Sequence, residues 1–324
     1  MASLEGQVKG WYEQSVRALS LPIEGAQRAS LLLGMGGSGI VGDYVKAMCV
    51  DRLDVPVFVV KEARLPRWVK GDSLVVAISY SGNTLETVAA AREALARGAL
   101  TCVVSSGGRL MELAESRGLP RVRLEGGYAP RAALPMMLYS CLRMLREVGI
   151  EVVEPSEVEE SLELLRDVEG SLSEASAIAR SLVEDRTPVI VADARYEALA
   201  WRFKSDLNEN AKMSAKCEVV PESMHNDVVG YEGDRHPSRA LILSAGDDHP
   251  YTRIVEGFVR EALEEAGVEV RLLRLKGSSM LAKLMYGSHV SSLASIEAAR
   301  LLGMDPEPTR NISRYKRALE QALR

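Results

Sequence analysis

Apolar residues along the chain follow two rhythms: unbroken runs of about four to eight residues, which suit strands buried on both faces, and stretches recurring every three or four positions, which suit helices. In the first half the runs 30–33, 55–60, 74–78, 101–104 and 121–124 predict strands. A helix is predicted over 84–97, closing at Gly98, and another over 131–148, where Leu134, Leu138, Cys141, Leu142 and Leu145 share a face before Gly149. Residues 151–185, rich in Glu, Ser and Leu, predict bridging helices. The alternation then resumes, with strands at 188–192, 240–244 and 268–275, a helix over 251–266 closing at Gly267, and a last helix from about Ile312.

Strands alternating with helices predict parallel sheets joined by crossovers. The expected fold class is therefore α/β, as two three-layer α/β/α units plus a C-terminal helix. The expected division is 1–150 for the first unit, 151–186 for the helical connection and 187–324 for the second unit. A chain of 324 residues that is 47% hydrophobic has enough apolar material for two such cores.

Two Gly- or hydroxyl-rich loops follow strand-like runs and precede helical stretches, where backbone N–H groups converge on an anion. The first reads Gly34-Met35-Gly36-Gly37-Ser38-Gly39 and the second Ser79-Tyr80-Ser81-Gly82-Asn83-Thr84. In the second, Ser79, Ser81 and Thr84 supply more hydroxyls than a helix cap needs, as a phosphate ester would require. Gly37 and Ser38 add a backbone donor and a hydroxyl in the first. Gly34, Gly36 and Gly39 also satisfy G-x-G-x-x-G, and Glu62 could imitate the ribose-binding acid of a dinucleotide site. A nicotinamide site, however, has no use for a second hydroxyl-rich cradle.

Charge and composition remove other classes. The net charge is −5 and Lys and Arg form no run, which argues against a nucleic-acid surface. No apolar run approaches 18 residues, so no membrane span is expected, and the mixed-polarity N-terminus is unlike a secretory signal. A cytoplasmic location is expected. Cys49, Cys102, Cys141 and Cys217 lie far apart with no histidine at ligand spacing, so neither a disulfide framework nor a metal site is expected, and no cofactor. The chain holds 10 Lys and 30 Arg with few Gln and Asn, a bias shared by some high-temperature proteins and by some genomes.

The pairing of Gly-Met-Gly-Gly-Ser-Gly with Ile-Ser-Tyr-Ser-Gly-Asn-Thr resembles the sugar isomerase (SIS) domain. The stretch 207–232, with Asn208-Glu209-Asn210-Ala211-Lys212 and Pro221-Glu222-Ser223-Met224-His225-Asn226, resembles the bifunctional phosphoglucose/phosphomannose isomerase family. That resemblance spans nearly the full chain. It implies a metal-independent aldose–ketose isomerase, with hexose 6-phosphates as substrates and a homodimer in which His225 can come from either its own or the neighbouring subunit. It further implies phosphate contacts from Ser38, Ser79, Ser81 and Thr84, with Glu209 as the base, His225 and Lys316 in ring opening, Arg131 beside the developing charge and Thr309 at the sugar's reactive end.

The residues speak partly for themselves. Leu199, Phe203, Leu207 and Ala211 share a helix face, so Glu209 should project from ordered backbone near that helix's end. Lys316 borders the apolar stripe of Ile312, Leu319 and Leu323, where a lysine either snorkels or serves a cleft. Arg131, expected at a helix start, faces the positive end of a helix dipole and should answer an anion. Two alternatives stay open on the sequence: a sugar-phosphate sensor without catalysis, and a dinucleotide-dependent oxidoreductase.

Overall fold

The structure, a computed structural model, describes residues 3–25, 35–37, 39–246 and 250–322. Helices α1 (Leu4–Lys9) and α2 (Trp11–Ser20) lead into a first sheet built of β1 (Ile23–Glu24), β2 (Met35–Gly37), β3 (Leu74–Ile78), β4 (Leu100–Ser105) and β5 (Arg121–Arg123). Its order is β1-β5-β4-β3-β2, parallel throughout except for the antiparallel edge strand β1. Between the strands lie α3 (Gly39–Cys49), α4 (Leu85–Ala96) and α5 (Gly108–Ser116), followed by α6 (Leu134–Glu147).

Two helices, α7 (Pro155–Arg166) and α8 (Val168–Leu182), then lead to the second sheet. It comprises β6 (Val189–Asp193), β7 (Lys216–Val220), β8 (Arg239–Ser244) and β9 (Glu269–Arg274), all parallel, in the order β7-β6-β8-β9. Its helices are α9 (Glu197–Asp206), α10 (Pro250–Glu265), α11 (Met280–Leu301) and α12 (Arg310–Ala322).

Both sheets are covered on two faces. In the first, Val76, Ile78, Cys102 and Val104 face the main core, while Ala77 and Val103 pack with Val88, Leu110 and Met111 of α4 and α5. In the second, Ile190, Ala192, Leu241 and Leu243 point into that same main core, and Val189, Val191 and Ile242 point the other way onto Val259 and Leu263 of α10. This alternation is the period-2 geometry of strands buried on both sides. One continuous core therefore joins the inner faces of both sheets.

Two expectations need correction. Residues 55–60 form no ladder strand: only Val59 makes an isolated bridge. Pro56, which cannot donate to a ladder, interrupts the run, and its apolar side chains alternate between half-buried and exposed. The run 30–33 lies outside the described residues. Arg131 sits in a 3-10 turn, Pro130–Ala132, ahead of α6 and not at that helix's first residue. The sequence pattern also missed α11, a helix of 22 residues buried on all sides.

Candidate active site

The second cradle is formed as expected at the carboxyl end of β3. Ser79 is buried, and its hydroxyl lies 2.9 Å from that of Thr84. Thr84 occupies the N-cap position of α4 yet makes no capping bond with its own helix. The hydroxyls thus gather with each other and leave the first-turn N–H groups of α4 open toward an anion. Ser81 accepts from the Asn83 amide N–H at 3.3 Å, and Asn83 Oδ1 accepts from the Arg109 N–H at 3.2 Å, tying the loop to the start of α5. Gly82, with φ +66°, forms the turn itself: a Cβ there would stand 1.7 Å from the Gly107 carbonyl oxygen.

This loop lines a cavity of about 470 Å³ with Ser81, Asn83 and Thr84 on one side and Ile312, Tyr315 and Lys316 of α12 on the other. Lys316 therefore borders the cavity next to this loop. Lys61 also lines it, its stem lying against Gly39 and its ammonium 2.7 Å from Asp43. Gly37 ends β2 beside Ile78, next to this site, whereas Ser38 lies outside the described residues. Glu62 is exposed in an irregular segment.

Glu209 lies where α9 gives way to a π-turn, Leu207–Ala211. The turn ends at Lys212 in the left-handed conformation (φ 56°), a placement that costs a non-glycine residue about 1 kcal/mol and clusters at functional sites. Lys212 Nζ donates to the carbonyl oxygens of Glu209 at 2.8 Å and Asn210 at 3.3 Å. Glu209 and Lys212 share a cavity of about 600 Å³ with Asp305, Thr309 and Ile312. Ile312 also lines the cradle cavity, so the two are neighbours across one side chain.

Burial raises the proton affinity of Glu209, and the nearby Asp206 carboxylate raises it further. Arg131, Arg202 and Lys212 oppose them without winning. A half-buried carboxylate whose pKa lies above its ordinary value is suited to take and return a proton near neutrality. Lys212 responds in the opposite sense, its pKa lowered by burial and then by Arg131.

Arg131 is fully engaged on one side. Its Nε donates to Asn210 Oδ1 at 2.7 Å, and its Nη2 donates to the carbonyls of Pro306 at 2.8 Å and Glu307 at 2.9 Å. Three neutral oxygens, and no anionic side chain among the described residues, hold it beside Glu209. Behind the turn, Arg202 and Asp206 form a buried ion pair at 2.9 Å, and Ser291 and Ser292 of α11 donate to Asp206 Oδ2 at 3.0 and 2.9 Å.

His225 is exposed in the 3-10 turn Glu222–His225 that follows β7, and it lines neither cavity. The loop carrying it is anchored by Lys216, which pairs with Asp227 at 2.8 Å, and by the Tyr231 hydroxyl, which donates to buried Glu218 at 2.8 Å. A third cleft of about 550 Å³ between α3 and α9, lined by Asp43, Lys46, Arg195 and Trp201, holds none of the expected residues. Among the described residues no three His, Cys, Asp or Glu side chains gather as a metal would need.

Comparison with known proteins bears directly on this geometry. Residues 172–319 match the bacterial phospho-glucose isomerase C-terminal SIS domain, and residues 26–109 match the SIS domain. A bifunctional phosphoglucose/phosphomannose isomerase of Aeropyrum pernix is 34% identical over 97% of this chain and 96% of its own length. That of Aquifex aeolicus is 33% identical over 89% of each.

The chain belongs to the bifunctional phosphoglucose/phosphomannose isomerase family.

A D-glucosamine-6-phosphate 4-epimerase of Sulfolobus acidocaldarius is also similar, 29% identical over 97% of both chains. Among solved structures, tagatose-6-phosphate ketose/aldose isomerase of Escherichia coli superposes with a TM-score of 0.67 at 14% identity, covering 95% of this chain and 91% of that one, a likeness of fold. The α/β reading and the family reading therefore hold. The cation Lys61, the pair Arg202–Asp206 and the left-handed Lys212 in this site were not read from the sequence. For Lys212 a signal was present, since it closes the Asn208-Glu209-Asn210-Ala211-Lys212 stretch that carries the resemblance.

Proposed function

We propose that this chain interconverts glucose 6-phosphate and mannose 6-phosphate with fructose 6-phosphate by proton transfer through an enediolate. The observation that carries this reading is the pairing of two adjoining cavities: a hydroxyl-bearing anion cradle lined by Ser81 and Thr84, with Ser79 buried behind Thr84, and a half-buried carboxylate of raised proton affinity, Glu209, beyond Ile312.

The cradle takes the ester at C6, the inert end, so that C1 and C2 reach Glu209. Glu209 removes the C2 proton of the aldose, the C1 carbonyl oxygen gains charge as the planar enediolate forms, the O2 hydroxyl proton passes to O1, and Glu209 returns its proton at C1, leaving the carbonyl at C2. Because C2 is flat in the intermediate, one base serves both epimers. Arg131 stabilises charge that exists only as the proton moves, which raises rate and not mere affinity. Thr309 borders the reacting end. The ring oxygen of the cyclic sugar sits on C5, one carbon from the phosphorylated C6, so a lysine on the cradle side, Lys316, stands near the atom protonated when the ring opens.

His225 lies outside both cavities on an exposed turn, which fits a group lent to a neighbouring subunit, and a homodimer is part of the proposal. We place the division between units after residue 150 and after residue 186, and the reaction in the cytoplasm.

Purified protein, supplied with each hexose 6-phosphate in the presence of a chelator, should form fructose 6-phosphate. Glu209→Gln should remove about 10²- to 10⁴-fold of the rate while the affinity for a non-isomerisable sugar phosphate stays near that of the parent. Absence of turnover with both sugars, or full turnover by the Gln variant, overturns the reading. Epimerisation at C4 of added glucosamine 6-phosphate, with no fructose 6-phosphate formed from either hexose 6-phosphate, would assign the chain to the epimerase chemistry named for the Sulfolobus relative.

A further inference from the structure

One residue of the π-turn ties the two charges of the proposed reaction together. Asn210, adjacent to Glu209 in sequence, is only 2% exposed, and its amide is divided between two partners. Oδ1 accepts from Nε of Arg131 at 2.7 Å, and Nδ2 donates to the hydroxyl of Ser295 on α11 at 2.9 Å. Ser295 in turn donates to the carbonyl of Ser292 at 2.8 Å, so its oxygen is free to act as acceptor for the amide. The arrangement has one sense. A guanidinium only donates, and turning the amide over would set its NH₂ against another donor and leave Ser295 without one.

The same Arg131 is fixed at its other end. Its carbonyl accepts from Nη2 of buried Arg202 at 2.6 Å, and its own Nη2 is taken by the carbonyls of Pro306 and Glu307. Nε and Nη2 are thus committed, while Nη1 makes no hydrogen bond to any of the described residues.

We propose that Asn210 is the positioning residue that aims the open Nη1 edge of Arg131 at the oxygens of the enediolate while Glu209, on the same turn, handles the proton. The inference rests on the isomerase reading above. Because base and aiming residue are consecutive in one π-turn, the cation and the carboxylate keep a fixed relation when the turn shifts. Asn210 touches no reacting atom. It acts through Arg131, and α11 supports it through Ser295.

The test separates transition-state stabilisation from ground-state binding. For Asn210→Ala, kcat should fall about 10- to 100-fold, as for loss of one aimed donor in part. The affinity for a five-carbon aldonic hydroxamate phosphate, which imitates the planar enediolate, should fall by a similar factor, and that for glucitol 6-phosphate, which has no carbonyl, should stay within about twofold. Arg131→Lys should show the same split, and the double variant should be no worse than Arg131→Lys alone, because both remove one interaction. Ser295→Ala, which leaves the Arg131 contact in place but frees the amide, should lower kcat several-fold and provides the reading if Asn210→Ala does not fold.

An unchanged kcat in either variant, equal weakening of both ligands, or additive losses in the double variant would overturn the inference with the isomerase reading intact. Absence of turnover by the unaltered chain would remove both.

Discussion

Gly82→Ala is the most direct probe of the cradle. Gly82 adopts φ +66°, which an alanine tolerates at a cost of about 1 kcal/mol. The new Cβ would meet the Gly107 carbonyl oxygen at 1.7 Å and Ser105 Oγ at 2.7 Å, so backbone must separate by about 1.3 Å merely to reach 3.0 Å. Overpacking of this kind adds about 1–3 kcal/mol, for a total near 2–4 kcal/mol, or a Tm lower by about 3–6 °C in a chain of this size. The same displacement would carry Ser81 and Thr84 away from the proposed phosphate position. Loss of one charge-assisted hydrogen bond, about 1.5–3 kcal/mol, corresponds to a KM raised about 10- to 100-fold.

Gly98→Ala is the control. Gly98 also has positive φ, +76°, at the end of α4, but a Cβ there meets nothing closer than Gly71 Cα at 3.8 Å. It should cost the backbone term of about 1 kcal/mol alone and leave KM unchanged. Thermal denaturation and initial rates against hexose 6-phosphate read both quantities. Parental KM and Tm in Gly82→Ala, or an equal rise of KM in both variants, would refute the assignment of this turn to phosphate binding.

The base has a pH signature. The proposed base, Glu209, acts deprotonated in that scheme, and its pKa is raised by burial and by Asp206, so Asp206→Asn should move the acid limb of kcat/KM to lower pH, and Arg131→Gln should move it higher. Folding favours the protonated form of Glu209, so its contribution to stability declines as pH rises through the raised pKa, and Glu209→Gln should melt no lower than the parent at neutral pH. Lys316→Met should lower kcat/KM about 10- to 100-fold while leaving Tm nearly unchanged, because α12 is largely exposed, and unaltered kinetics would remove Lys316 from the site. Glu160 is a separate stability probe: burial pushes its pKa up, but hydrogen bonds from Ser278 and Ser279 outweigh this and hold it down to about 2. Its stabilising contribution, present above the ordinary carboxylate pKa, should fade as pH drops toward 2, and denaturation of Glu160→Gln should lack that part of the pH dependence.

What the sequence made legible was local. The cradle could be read because β3 is an unbroken apolar run and its hydroxyls lie within six residues. Helix ends at Gly98, Gly149 and Gly267 were legible because each adopts the positive φ that favours glycine. Helix α11 was not, because it is buried all round and carries Gly287, Ser288, Ser291, Ser292 and Ser295 where an amphipathic helix would show one apolar stripe. Its serines serve buried polar partners instead, three of them Asp206 and Asn210. Those partners lie some 85 residues away, as Asn210 lies 79 from Arg131, and no periodicity carries such a pairing. The run 55–60 misled for the converse reason. Its composition suits a strand, but Pro56 withholds a donor and its apolar residues pack by alternation without ladder bonds.

The reach of the proposed reaction is set by a segment that belongs to neither sheet. The cradle hangs from β3 and the proposed base from the end of α9, yet the segment between them, 304–312, lines the Glu209 cavity at every residue but Pro306 and Glu307 and passes through Ile312 into the cradle cavity. That segment is fastened from three directions: Arg131 holds the carbonyls of Pro306 and Glu307, Lys212 Nζ approaches Pro306 O at 3.4 Å, and the Leu4 N–H donates to the Glu307 carboxylate at 2.7 Å. A base and a phosphate site on separate rigid units catalyse well only if the span between them matches the open-chain sugar, since an error near 1 Å can cost about 10²-fold. The clip around Pro306 therefore does the work of a ruler. It accounts for Arg131 spending two of its nitrogens on carbonyls and Asn210 while its third, Nη1, bonds to none of the described residues and is the one the proposal assigns to the substrate.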